Sequence, residues 1–242
     1  MKFLLILALF SFSSFAQIYR HHPDIIAKWI GSYDEAIRQN RPAQSWTNDE
    51  WNGYYMSYPD PTSFTKQQQE IVWDYKTTEY TGINQGLRTG NPELLSKYAK
   101  HINAMDALMR TIKPIPAPIV VYRGERRTIF KENQYCLYLG YTSTTTGTER
   151  GEMFGLGGTY IMIQLPNRLK ALRVSVVLPA RQPPNHTDTE EELILPRNAW
   201  IRITDVRIDS NPRALTRMKV KAIFGVRPPT TCNLDPETQC CK

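Results

Sequence analysis

The chain has 242 residues, with 30 basic against 23 acidic side chains, a net charge of +7 and 41% hydrophobic residues. That length fits one large domain or two small ones, and the apolar content, with 13 Tyr and 5 Trp, excludes a disordered chain. Four cysteines are too few for a disulfide scaffold. No stretch reaches the about 18 consecutive apolar residues that a transmembrane helix needs. A basic balance admits nucleic acid, an anionic membrane or a phosphate-bearing ligand, and composition does not choose among them.

The N-terminus reads as an export signal. Lys2 is a basic start, Phe3 to Phe10 form a short apolar run, and Ser14-Phe15-Ala16 supply small residues at cleavage spacing. Cleavage after Ala16 would make Gln17 the first mature residue. A helix is predicted next, because Ile25, Ile26, Trp29, Ile30, Tyr33, Ala36 and Ile37 recur at helical spacing. Asn40 to Asp60, rich in Pro, Asn, Asp and aromatics, reads as irregular. Thr65-Lys66-Gln67-Gln68 fits a capping box, with Ile71, Val72 and Tyr75 on the buried face of the helix it starts. Asn91-Pro92-Glu93 starts a long amphipathic helix carrying Leu94, Leu95, Tyr98, Ile102, Met105, Leu108, Met109 and Ile112. The prolines at 114, 116 and 118 stop it.

After Pro118 the period changes to that of strands. Ile119–Tyr122, Tyr160–Leu165, Leu172–Leu178 and Leu193–Leu195 are short apolar runs; Trp200–Thr204 and Met218–Phe224 alternate. Helices first and strands after is the α+β pattern. The tail from Arg227, with Pro, Thr and three Cys, is expected outside the core. Four Cys allow three complete connectivities. At least one bridge is expected to tie down the tail, from Cys232 to Cys240 or Cys241.

Three separated features carry potential chemistry. Arg123 ends a predicted strand and precedes Gly124, which suits presentation of a guanidinium fork to phosphate. Gly140 to Thr146 places hydroxyls on an extended segment. Glu190, Glu191 and Glu192 enter an apolar strand, and alternation puts Glu190 and Glu192 on one face. Singly, each has a plain alternative: a surface Arg beside a turn glycine, a Thr-rich strand, a solvated acidic loop end.

Taken in order, these features resemble the ADP-ribosyltransferase exoenzyme family, whose signature is Arg, then Ser-Thr-Ser, then Glu-x-Glu. Ile83-Asn84-Gln85-Gly86-Leu87-Arg88 resembles a further helical element of that family, and the similarity spans roughly Thr65 to Phe224. It implies two facing, mostly antiparallel sheets with N-terminal helices, and NAD as a consumed substrate with no metal. Arg123, Asn84 and Arg88 would bind the dinucleotide phosphates and adenosine side. Gly124 would approach the nicotinamide amide, with Thr144 and Phe154 also on the NAD site. Ser143 would orient the catalytic glutamate, Glu192, and the third position of that motif is Thr145 rather than Ser. Glu190 would face an acceptor arginine on a target protein, and residues 179–189 would form the target-recognition loop.

The resulting division is a signal at residues 1–16, a helical extension at 17–63, a catalytic domain at 64–227 and a Cys-bearing tail at 228–242. The chain is expected to be a secreted monomer that transfers ADP-ribose to arginine and does not bind nucleic acid. The alternatives are an NAD glycohydrolase with water as acceptor, which the same residues would serve, and a non-enzymatic basic binding module. The absence of GxGxxG argues against a Rossmann crevice.

Overall fold

The computed structural model describes residues 23–39, 41, 47, 50, 64–115, 118–126, 130–178, 192–209 and 218–241. The export signal, the segment predicted as irregular over most of 40–60, the loop at 179–189, Glu190 and Glu191 lie outside the described residues.

Helix α1 (Pro23–Arg38) carries Tyr33 and Ala36 into the main core, with Ile37 packed against it. Helix α2 (Lys66–Asp74) starts at the expected capping box. Thr65 N–H donates to Gln68 Oε1 at 2.8 Å, and Thr65 Oγ1 accepts from Gln68 N–H at 3.2 Å. The chain then widens into a π-helical turn (Tyr75–Glu79) before α3 (Tyr80–Thr89). Such turns recur at functional sites. Gly90, at φ 66°, closes α3 in the left-handed region that glycine adopts without penalty. Helix α4 (Pro92–Thr111) is capped by Asn91, whose Oδ1 accepts from Leu94 N–H at 3.0 Å. It buries Tyr98, Ile102, Met105, Leu108 and Met109, as its spacing predicts.

The strands are β1 (Ile119–Glu125), β2 (Tyr135–Tyr138), β3 (Thr142–Thr145), β4 (Thr159–Leu165), β5 (Leu172–Arg173), β6 (Glu192–Leu195), β7 (Ala199–Ile208) and β8 (Met218–Phe224). Short helices α5 (Thr148–Phe154) and α6 (Val174–Val177) interrupt them. The strand expected over Leu172–Leu178 is therefore two residues of β5 followed by one helical turn. A short apolar run does not by itself distinguish strand from buried helix.

The architecture is α+β. Among the described residues, hydrogen bonding links eight strands in the order β2-β7-β8-β4-β1-β3-β6-β5, and only β4 and β8 run parallel. Two facing sheets were expected; among the described residues the strands form one hydrogen-bonded sheet, whose parts join between β1 and β3 at a single pair, Tyr122 with Thr145. Two cores lie against it. One gathers Ile119, Val121, Ile161, Ile163, Ile201 and Phe224 with α1. The other gathers α2, α3 and α4 with Tyr141, Leu172 and Ile194. Strand β6 serves both: Leu193 and Leu195 enter the first and Ile194 the second. A strand buried on both faces reads as a continuous apolar run, which is what Leu193-Ile194-Leu195 is.

Most of the tail lies outside the core, as expected, but one residue enters it. Cys240 is 1% exposed and belongs to the first core, disulfide-bonded to Cys136 on β2, 104 residues away. Cys232 bonds to Cys241, one of the two expected pairings.

Candidate active site

Strand alternation places the key side chains. On β1, Val121, Arg123 and Glu125 point the same way. Val121 enters the core, while Arg123 and Glu125 meet as an ion pair, Nε to Oε1 at 2.9 Å. Tyr138, at the end of β2, donates its hydroxyl to Glu125 Oε1 at 2.6 Å. Arg123 Nη1 donates to the Ser143 carbonyl at 2.7 Å. Arg123 is thus fixed between β1, β2 and β3. Burial is the strongest influence on its pKa and lowers it, but Glu125, Tyr138 and Tyr75 together raise it, so the guanidinium stays charged.

On β6, Glu192 shares a face with Ile194, and therefore points toward the helical layer. Thr145 is its partner across the β3–β6 ladder, and Ser143 pairs with Ile194 two residues along. Directly opposed residues project on the same side, so Ser143, Thr145 and Glu192 share one surface. Lys76, from the π-helical turn, reaches Glu192 Oε2 at 3.4 Å. Tyr75 stands beside it, fully buried, with its ring edge-on to Tyr141 at 5.7 Å between centroids. Burial raises the Tyr75 hydroxyl above 10.0 and Glu192 adds to this; hydrogen bonds with Asn84 and Ser143 and the charge of Arg123 oppose it. Tyr75 is therefore a neutral phenol near the point where Arg123, Ser143 and Glu192 come together.

These groups line a cleft of about 1060 Å³, at the upper end of the roughly 300–1,000 Å³ usual for small-ligand sites. Lys76, Arg88, Arg123 and Arg126 bring positive charge to it, while Glu125, Glu192 and Glu237 bring carboxylates. Of the expected site residues, Arg123, Gly124, Ser143, Thr144, Arg88, Phe154 and Glu192 all line it. Asn84 does not. It is 4% exposed, and its side-chain amide donates to the Tyr75 hydroxyl at 3.0 Å. The Thr144 hydroxyl is turned to the Leu193 carbonyl, 2.8 Å away. Phe154, at the end of α5, is 60% exposed. Gly124 lies under the α5 terminus, where an added Cβ would collide with the Phe154 carbonyl carbon and the Gly155 nitrogen. Close backbone packing is a reason for glycine there that the sequence does not reveal.

The sequence reading missed several participants. Glu125 carried a usable signal, since it is two residues beyond Arg123 on one strand. Tyr138, Tyr75, Lys76 and the tail residues Pro236, Glu237 and Gln239 carried none, because their places depend on contacts remote in sequence. A buttress was also missed. Arg197 binds Asp106 through Nε (3.1 Å to each oxygen) and Nη2 (2.7 Å). Tyr141 donates to the same carboxylate at 2.6 Å, which ties α4 to the segment entering β3. Among the described residues, no group of three or more His, Cys, Asp or Glu is placed to hold a metal ion.

A family model for ADP-ribosyltransferase exoenzymes matches residues 43–224. The chain belongs to this family. Solved structures of similar fold include Plx2a, an ADP-ribosyltransferase toxin from Paenibacillus larvae, at 19% identity and TM-score 0.53, covering 78% of this chain and 96% of that one. Exoenzyme S from Pseudomonas aeruginosa, solved bound to carba-NAD, is 13% identical with TM-score 0.51, covering 86% of each chain. The ADP-ribosyltransferase Vis, solved with agmatine, is 14% identical with TM-score 0.54, covering 89% of this chain and 92% of that one. No match is found among curated protein sequences. The exoenzyme family match ends at residue 224, so the disulfide-bonded tail lies beyond it.

Proposed function

We propose that this exoenzyme is a secreted, NAD-dependent mono-ADP-ribosyltransferase that modifies an arginine of a target protein. The observation that carries the proposal is the meeting of Arg123, Ser143 and Glu192, from three different strands, on one charged cleft. In the reaction, the bond between the nicotinamide nitrogen and the ribose C1′ breaks. Nicotinamide leaves with the electron pair, and C1′ develops positive charge. Glu192 is the carboxylate that stabilises this charge, an interaction stronger in the transition state than in the ground state. Ser143 orients Glu192, and Arg123 and Arg88 hold the pyrophosphate. A nitrogen of the acceptor guanidinium bonds to C1′ and gives its proton to Glu190.

The Glu190-x-Glu192 pattern supports the arginine acceptor, as does the fold shared with Vis, which was solved with the guanidinium compound agmatine. Residues 1–16 act as the export signal, and residues 64–227 form the catalytic unit. Incubation with labelled NAD and an arginine donor should transfer label and release nicotinamide. Glu192→Gln should reduce this by about 10²-fold or more while leaving the melting temperature close to that of the parent. Full transfer by that variant would remove Glu192 from the mechanism. Glu190→Ala should abolish transfer to arginine and leave much of the hydrolysis. If the parent consumes NAD but never labels an arginine donor, water is the acceptor.

A further inference from the structure

The C-terminal tail forms part of the cleft. Pro236, Glu237 and Gln239 line it together with Arg123, Ser143 and Glu192. The tail is attached by two kinds of bond. Leu137 N–H donates to the Gln239 carbonyl and Cys241 N–H to the Tyr135 carbonyl, both at 2.7 Å, so the tail pairs with β2. The Cys136–Cys240 disulfide anchors it to that strand, and Cys232–Cys241 closes the tail on itself over nine residues. Within it, the Asp235 carboxylate accepts from the N–H groups of Glu237 and Thr238, at 2.9 and 3.1 Å.

Gln239 is held at φ 58°, in the left-handed region that side chains other than glycine rarely adopt. Such a conformation persists where the surroundings over-determine it, and it concentrates at ligand sites. The surroundings here are the pairing to Leu137, the Gln239 N–H donated to the Asp235 carbonyl at 2.8 Å, and the neighbouring Cys240 bridge.

We propose that this stapled turn is a wall of the NAD site, with Gln239 and Glu237 as NAD-contacting residues, and that its disulfides make NAD binding thiol-sensitive. The inference rests on the transferase reading above. The cations at 76, 88, 123 and 126 suit the pyrophosphate. The Gln239 amide nitrogen donates to the Pro236 carbonyl at 2.7 Å, so the tail offers the Glu237 carboxylate and the Gln239 amide oxygen, which suit sugar hydroxyls and the base amine rather than phosphate. A dithiol reductant gives two electrons and two protons to each disulfide, leaving two cysteine thiols and its own cyclic disulfide. A wall held in this way is firm in an oxidising compartment and loosens in a reducing one.

The test is steady-state NAD kinetics on the full oxidised chain, on the same chain after dithiothreitol, and on three variants: Cys232→Ser/Cys241→Ser, Glu237→Ala and Gln239→Gly. KM for NAD should rise roughly threefold to tenfold in each case, the size of one or two lost hydrogen bonds, with kcat within about twofold. Gln239→Gly removes the side chain and relaxes the left-handed backbone, so a raised KM without a lowered melting temperature separates contact from folding. Turnover with KM unchanged throughout overturns the wall alone, as does a loss confined to kcat. No NAD turnover by the oxidised parent overturns the activity, and the wall with it.

Discussion

Arg123 reaches the cleft already oriented, and Glu125 is what orients it. Replacing Glu125 with Ala tests this. The carboxylate is 5% exposed and accepts from Arg123 Nε at 2.9 Å and from Tyr138 Oη at 2.6 Å. A hydrogen bond to a charged group contributes about 1.5–3 kcal/mol, and breaking a wholly buried ion pair costs about 3–5 kcal/mol. Arg123 keeps 22% exposure and its bond to the Ser143 carbonyl, so water entering from the cleft offsets part of that loss. The expected destabilisation is about 2–3 kcal/mol, or about 4–12 °C in melting temperature for a domain of this size. The guanidinium also loses its lateral constraint, so KM for NAD should rise by about tenfold while kcat changes less. Calorimetry and NAD kinetics on Glu125→Ala, Tyr138→Phe and the double variant check both effects, and the cycle isolates the coupling. Tyr138→Phe alone should cost about 1 kcal/mol. Melting within 1 °C of the parent together with an unchanged KM in Glu125→Ala would refute the orienting role.

Three further outcomes follow from other contacts. Gly124→Ala forces a methyl into the Phe154–Gly155 backbone, so it should cost about 1–3 kcal/mol and displace α5, read as a lowered melting temperature and faster proteolysis near residue 154. Lys76→Met removes a cation 3.4 Å from Glu192 Oε2 and should lower kcat/KM for NAD about threefold to tenfold with the melting temperature within about 2 °C of the parent, since a partly exposed ion pair contributes about 1 kcal/mol or less. Burial alone would raise the Asp106 pKa, but hydrogen bonds from Arg197 and Tyr141 outweigh it and hold it below 3.8. A carboxylate with a lowered folded value stabilises fully above its unfolded value of about 3.9 and loses that contribution as pH falls through the folded value. The stability difference between the parent and Asp106→Asn should therefore be constant from about pH 5 to 8 and shrink below about pH 4; a difference unchanged down to pH 2 would exclude the linkage.

The helical half was legible because its signals are local. Thr65 with Gln68, Asn91 with Pro92, and the spacing from Tyr98 to Met109 each act within a few residues, and each has the partner the sequence predicts. Tyr135–Tyr138 was not legible as a strand. Four residues give too short a pattern, and what makes them a strand is pairing with β7 on one side and the tail on the other. The tail was misread at Cys240 for a related reason. Its polar, proline-bearing composition describes a surface segment, yet a disulfide to a residue 104 positions earlier draws Cys240 into the core.

The candidate site shows the same limit in a sharper form. A motif orders Arg123, Ser143 and Glu192, but it does not state the strand parity that brings them onto one cleft. On β6, a one-residue shift would move Glu192 to the face shared by Leu193 and Leu195, into the main core, where an unpaired carboxylate is costly. The register Thr145 with Glu192 is therefore fixed from both sides: by Leu193 and Leu195 filling one core, and by Ile194 filling the other. A carboxylate at the edge of a core needs a strand that cannot slip, and a strand with two buried faces supplies that. The glutamate stands at the first residue of a doubly buried run, and the apolar side chains that follow set its direction.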